Sequence, residues 1–218
     1  MTKNISLAVK NFDKPILENE IDIPFLLTES ADEKKIEIIE HHFGIIMETL
    51  GLDLADDSLC DTPRRVAKMF VKEIFSGLNP DNKPEINLFN NSYHYHEMLI
   101  EMDITVYSYC EHHFVPIIGK AHVAYIPNGK VIGLSKINRL VNYYSKRPQV
   151  QERLTTQIAE AMKEALDTED VAVIIDAVHL CVASRGIQDT QSSTRTCFYS
   201  GKFEEEKTRA EFIGSVRQ

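Results

Sequence analysis

From residue 30 onward the apolar positions fall at helical spacing. Ile36, Ile39, Phe43, Ile46, Met47 and Leu50 share one stripe, Gly51 stops it, and Ser30 followed three places later by Glu33 has the form of a capping box. A second helix is predicted to open at Asp61-Thr62-Pro63, with proline in its first turn, and to carry Val66, Phe70 and Ile74 as far as Gly77. Beyond Pro84 the period shortens, and runs rich in Ile, Val and Tyr at 85–89, 97–109 and 119–126 read as strands. Helices return at Ser135, with Ile137, Leu140, Val141 and Tyr144 on one face, and again after Pro148, from Val150 to about Leu166. Strands over 171–183 and 194–200 and a charged helix follow. Residues 1 to about 29 show no stable period and read as an arm, whose apolar members Ile16, Phe25 and Leu26 are available to dock on a neighbour.

From residue 97 the order is strand, strand, helix, helix, strand, strand. That order suits an α+β domain: an antiparallel sheet with its helices laid on one face. The chain divides on this reading into an N-terminal arm and helical region, 1–96, and a sheet domain, 97–218. An open sheet exposes two edges, and joining copies edge to edge removes them, so a homo-oligomer is expected.

With 218 residues, 43% hydrophobic and 26% charged, the chain can bury a core. A formal charge of -9 argues against a nucleic-acid surface, which needs a basic face, but leaves room for a small anion held by clustered cations. No run approaches the ~18 apolar residues of a membrane span, and the opening MTKNISLAVKNFDKP does not read as a leader, so a cytoplasmic protein is expected. The 4 cysteines, at 60, 110, 181 and 197, do not make a disulfide scaffold. Each is a core thiol or a ligand.

Cys110-Glu111-His112-His113 places a thiol and an imidazole three residues apart where a strand must turn. Further on, strand alternation puts His179, Cys181, Ala183 and Arg185 on one face. If the two strands are neighbours, Cys110, His113 and Cys181 can form a three-ligand site. Two thiolates and an imidazole suit Zn²⁺, and three protein ligands leave a fourth position for water, as in catalytic zinc. The competing explanation is buried core thiols, since cysteine is among the most buried residue types. Cys60, Cys197 and the histidines at 41, 42, 94, 96 and 122 lack such partners and read as structural or surface groups.

Gly133-Leu134-Ser135-Lys136-Ile137-Asn138-Arg139 reads as a loop entering a helix, with Ser135 as N-cap and Lys136 and Arg139 one turn apart. Free N–H groups and the positive dipole end make such a start a phosphate site, although a solvated basic face explains the same residues. Arg185 strengthens the clustering. Glu152 lies in the first turn of the helix after Pro148, where a carboxylate complements the dipole. A carboxylate accepting two parallel N–H bonds is also the natural reader of the guanine N1 and 2-amino edge.

CEHHF (110–114), HVAYIP (122–127), GLSKINR (133–139), RPQVQERLT (147–155) and AVHLCVASRG (177–186), with DTPRRVAKMFVKEIFSGL (61–78) before them, resemble in order and separation the motifs of the GTP cyclohydrolase I family. The resemblance implies the tunnelling fold, whose β-β-α-α-β-β units join into a barrel, a decamer of two facing pentamers, and active sites at subunit boundaries. It implies Cys110, His113 and Cys181 as zinc ligands and His112 and His179 as proton carriers. Glu152 with Gln151 matches the guanine anchor of GTP, and Ser135, Lys136, Arg139 and Arg185, with Arg65 and Lys68, match the triphosphate and ribose contacts. The implied reaction opens the guanine imidazole ring of GTP, releases formate and recloses to dihydroneopterin triphosphate. One departure stands out: Thr190-Gln-Ser-Ser-Thr-Arg-Thr-Cys197 replaces the usual run of small hydroxyl residues. Two alternatives are a deazapurine nitrile reductase, which would use a cysteine nucleophile and NADPH, and a zinc-stabilised oligomer that only binds nucleotides.

Overall fold

The computed structural model describes residues 31–216. Its centre is the run Val171–Ile175, in which every residue is fully buried. A strand with one wet face would alternate; this one does not, because both of its faces are covered. The strand is β6, Val171–His179. Val171, Val173 and Ile175 point into a core shared with two helices, α3 (Leu134–Ser145) and α4 (Gln151–Leu166). Ala172 and Ile174 point the other way, onto Phe203 and Phe212, the latter on α6 (Glu206–Val216).

Around β6 the sheet is antiparallel: β2 (Leu99–Cys110) pairs with β3 (Pro116–Tyr125), β3 with β6, and β6 with β7 (Thr194–Tyr199). The α+β expectation holds for these long strands and their two helices. The strand expected over 85–89 is a short one at 88–90, and two further small strands escaped the pattern. A two-residue strand, β5 (Pro148–Gln149), runs parallel to the end of β2, and β4 (Lys130–Ile132) pairs with β1 (Leu88–Asn90) as a separate ribbon. Both are too short to show a period.

The first helix, α1, spans Asp32–Thr49. Its N-cap is Ala31, with no side-chain cap; Ser30, on which the capping box was expected, and the arm, with Ile16, Phe25 and Leu26, lie outside the described residues. Its apolar stripe is only partly used: Ile36 and Met47 are buried, while Ile46 and Leu50 are 51% and 73% exposed. The second helix, α2, is regular over Thr62–Met69, then loosens into a π turn at Phe70–Ile74 and a 3₁₀ turn at Ser76–Leu78. Gly77 ends this segment against α3: its N–H donates to the Lys146 carbonyl, and a Cβ there would come within 2.1 Å of the Tyr143 oxygen.

Two further boundaries move. α3 begins at Leu134 with Gly133 as its N-cap, placing Ser135 inside the first turn rather than at the cap. The strand expected over 171–183 ends at His179, after which Leu180–Ala183 form a helical turn, α5, closed by the Ser184 N–H and hydroxyl on the Leu180 carbonyl. Strand alternation therefore does not carry Cys181 and Arg185; the turn does.

Candidate metal centre

Along β2 the residues Ile104, Val106, Ser108 and Cys110 alternate inward, which leaves the Cys110 thiol 5% exposed at the strand's end. There the chain folds back tightly. The Phe114 N–H donates to the Cys110 carbonyl and the Cys110 N–H to the Val115 carbonyl, with Phe114 itself in the left-handed region at φ 53°. The Phe114 ring packs edge-on against Phe70 and Phe75, so the π turn anchors the hairpin. Register does the rest: Ile117, just past the turn, lies opposite His179, and α5 brings Cys181 back over the hairpin.

One ligand atom from each of Cys110, His113 and Cys181 lies within 4.8 Å of the others. His113 faces Cys110 through Nδ1, 3.8 Å from the sulfur, and His112 Nδ1 stands 3.6 Å from the same sulfur on the exposed side. Two thiols and an imidazole around a small gap are a donor set that fits a borderline-soft divalent ion and has no packing purpose of its own. Burial, and then the neighbouring Cys110, push the Cys181 thiol above its ordinary pKa, so without a cation this thiol holds its proton.

The remaining expected residues form two groups. Arg185 Nη1 lies 2.9 Å from His113 Nε2. His179 Nε2 lies 2.7 Å from Gln151 Oε1, and burial lowers the His179 pKa against the opposing pull of the Glu152 charge. The Glu152 carboxylate is exposed and makes no hydrogen bond or ion pair among the described residues. Arg153 pairs with Glu111 and reaches Gln149 at 3.2 Å, which braces α4 against the hairpin. Sequence reading overlooked that brace, because nothing in the spacing of 111 and 153 links them.

The second group stands apart. Arg65 pairs with Asp61 at 3.4 Å, and the exposed Lys68 lies on the same helix. Ser135, Lys136 and Arg139 share no hydrogen bond or ion pair with the cysteine cluster. Asn138, in the middle of that motif, donates to Glu101 at 3.1 Å. Glu101 and Cys110 sit near opposite ends of the 12-residue β2, roughly 30 Å apart at ~3.3 Å per residue. Within one chain the basic helix start and the cysteine cluster do not meet.

Fold and site together define an α+β protein with a Cys–His–Cys centre of metal-binding type at a hairpin mouth. A family model described as GTP cyclohydrolase I matches residues 39–217. A protein of Flavobacterium johnsoniae named GTP cyclohydrolase 1 is 57% identical over 207 residues, covering 95% of this chain and 90% of its own length. Proteins of the same name from Shewanella denitrificans and Aeromonas hydrophila are 54% and 49% identical, covering 92% and 98% of this chain and 93% and 94% of their own lengths. The chain belongs to the GTP cyclohydrolase I family.

Proposed function

We propose that this chain is a zinc-dependent GTP cyclohydrolase I, converting GTP and water to formate and 7,8-dihydroneopterin triphosphate. The convergence of Cys110, His113 and Cys181 within 4.8 Å carries the reading, because it gathers a catalytic-type ligand set from two distant segments. Cys110, His113 and Cys181 would hold a zinc ion, which would supply a Lewis acid able to acidify water.

The protein's own groups do the rest. Glu152, exposed and unpaired, accepts from guanine N1–H and the 2-amino group and fixes the base in plane. His179 delivers a proton to N7 as the imidazole ring opens, and His112, on the solvent side, exchanges protons at C8 or the ribose. The resulting formamide is hydrolysed to formate. The ribose then opens and rearranges to a ketone, onto which the freed amine closes.

Arg185 beside the centre, with Lys136 and Arg139 and the N–H groups at the start of α3, hold the triphosphate; Ser135, Arg65 and Lys68 complete the contacts. The roughly 30 Å along β2 between the α3 start and Cys110 supports a site shared between subunits, the α3 of one facing the cysteines of another. The free edge of β7 supports closure of copies into a barrel, a decamer of two pentamers.

The test is incubation of the zinc-loaded chain with GTP, following formate and pterin fluorescence with and without a chelator. Formate and pterin in stoichiometric amounts, abolished by chelation, are expected. GTP left intact by the loaded protein would sink the proposal.

A further inference from the structure

Gln151 is the first residue of α4 and its side chain is 1% exposed, turned away from solvent while its neighbour Glu152 faces it. Its amide nitrogen lies 3.0 Å from the Ile175 carbonyl, 3.0 Å from the Thr194 carbonyl and 3.1 Å from Thr196 Oγ1. Two of these partners are backbone oxygens, which only accept. The atom facing them must therefore be the NH₂ group, and the side chain cannot be flipped without setting an oxygen against two carbonyls. Neighbouring hydroxyls agree. Thr155 Oγ1 lies 2.8 Å from the Gln151 carbonyl, to which it donates, so at the 2.6 Å contact with Thr196 it is Thr196 that donates. That leaves the Thr196 oxygen as a third acceptor facing the amide, whose two hydrogens are shared among it and the two carbonyls.

With its nitrogen committed, Gln151 presents Oε1, an acceptor only, to His179 Nε2 at 2.7 Å. The imidazole must then carry its hydrogen on Nε2, and its lone pair falls on Nδ1, which has no hydrogen-bond partner among the described residues. We propose that Gln151 is a positioning residue that holds His179 as the Nε2–H tautomer, so that all proton exchange with substrate runs through Nδ1. In each exchange Nδ1 takes one proton to give the imidazolium, with the Nε2–H bond to Gln151 unbroken, and returns to the same neutral tautomer on giving it up. The side chain of Gln151 thus serves the proton carrier instead of the guanine edge. The idea rests on the reading of His179 as a proton carrier; the tautomer itself does not.

Two measurements decide it. Nitrogen-15 NMR of histidine-labelled, zinc-loaded protein, with the His179 signals assigned by difference from His179→Ala, reports which ring nitrogen carries the hydrogen in the neutral state. The expected result is pyrrole-type Nε2 and pyridine-type Nδ1; the reverse overturns the proposal. In Gln151→Leu, kcat should fall at least ~10-fold, with KM for GTP changed by less than threefold and zinc content unchanged. A rise in KM with kcat retained would return Gln151 to base recognition and also overturn it. Should Gln151→Leu fail to fold, the wild-type spectrum still distinguishes the two tautomers. An active His179→Ala with the expected tautomer in the wild type would defeat the proton-carrier reading and, with it, the exchange through Nδ1.

Discussion

Arg185 points its guanidinium at the outer nitrogen of His113, 2.9 Å away, while the inner nitrogen of the same ring faces Cys110. Arginine has no acceptor, so in this arrangement Nε2 offers the lone pair and Nδ1 carries the hydrogen. A cation held through Nδ1 would put the hydrogen on Nε2 and leave Arg185 without that acceptor. Its guanidinium would then be available to an anion. Arg185→Leu should keep its zinc and raise KM for GTP by ~10-fold or more, about 1.4 kcal/mol, with a smaller effect on kcat. Metal analysis beside steady-state kinetics checks this, and loss of zinc in the variant would mean that Arg185 supports the ligands instead.

Cys110→Ser and Cys181→Ser should each lose zinc and bring formate release to background, since neither hydroxyl replaces a thiolate on a borderline-soft ion. Chelation of the wild type should do the same reversibly under reducing conditions. In air, the stripped protein should instead form a Cys110–Cys181 disulfide, because both sulfurs belong to a cluster within 4.8 Å. Peptide mapping without reductant would detect it. Stripped protein that keeps both thiols free after prolonged exposure to air would argue against their proximity.

Much of this centre was legible in the sequence, and the reasons differ by residue. Cys110 and His113 could be read because a turn after a strand is a local event, and local chemistry is what sequence spacing encodes. Cys181 falls where alternation puts it, but for a different reason: the chain leaves the strand at His179 and enters a helical turn. Apolar content does not separate a four-residue turn from the end of a strand. Gln151 is grouped with Glu152 by adjacency, yet successive residues at a helix start point about 100° apart, and the structure turns one inward and the other out. The distance from Ser135, Lys136 and Arg139 to Cys110 was beyond sequence reading, because it depends on which end of β2 the α3 start packs against.

Glu152→Ala tests base recognition separately from chemistry. The carboxylate has no partner to lose among the described residues, so the variant should fold and bind zinc normally. Selectivity for GTP over inosine triphosphate, which lacks the 2-amino group, should narrow by ~10-fold or more. Competition between the two nucleotides measures that ratio directly, and an unchanged ratio would remove Glu152 from the guanine edge.

His122 gives the fold a pH dependence distant from the cysteine cluster. It is 6% exposed on β3, on the α6 face of the sheet, in a pocket that Asp103, Lys120, Asp176 and Arg195 also line. Burial lowers its pKa; Asp103 and Asp176 oppose this, and Arg195 and Lys120 add to it. The Asp103 N–H donates to Nδ1 at 3.3 Å, a bond that needs the ring's lone pair and so favours the neutral form. Because the folded pKa lies below the unfolded value of ~6.5, the unfolded chain binds the extra proton first. The contribution of the neutral ring is fully present above that value and is lost as the pH falls through the folded pKa. Denaturant midpoints measured from pH 7.5 down to 5 should decline more steeply for the wild type than for His122→Asn, which keeps an acceptor but does not titrate. Parallel slopes for the two proteins would show that His122 is not a source of the acid sensitivity.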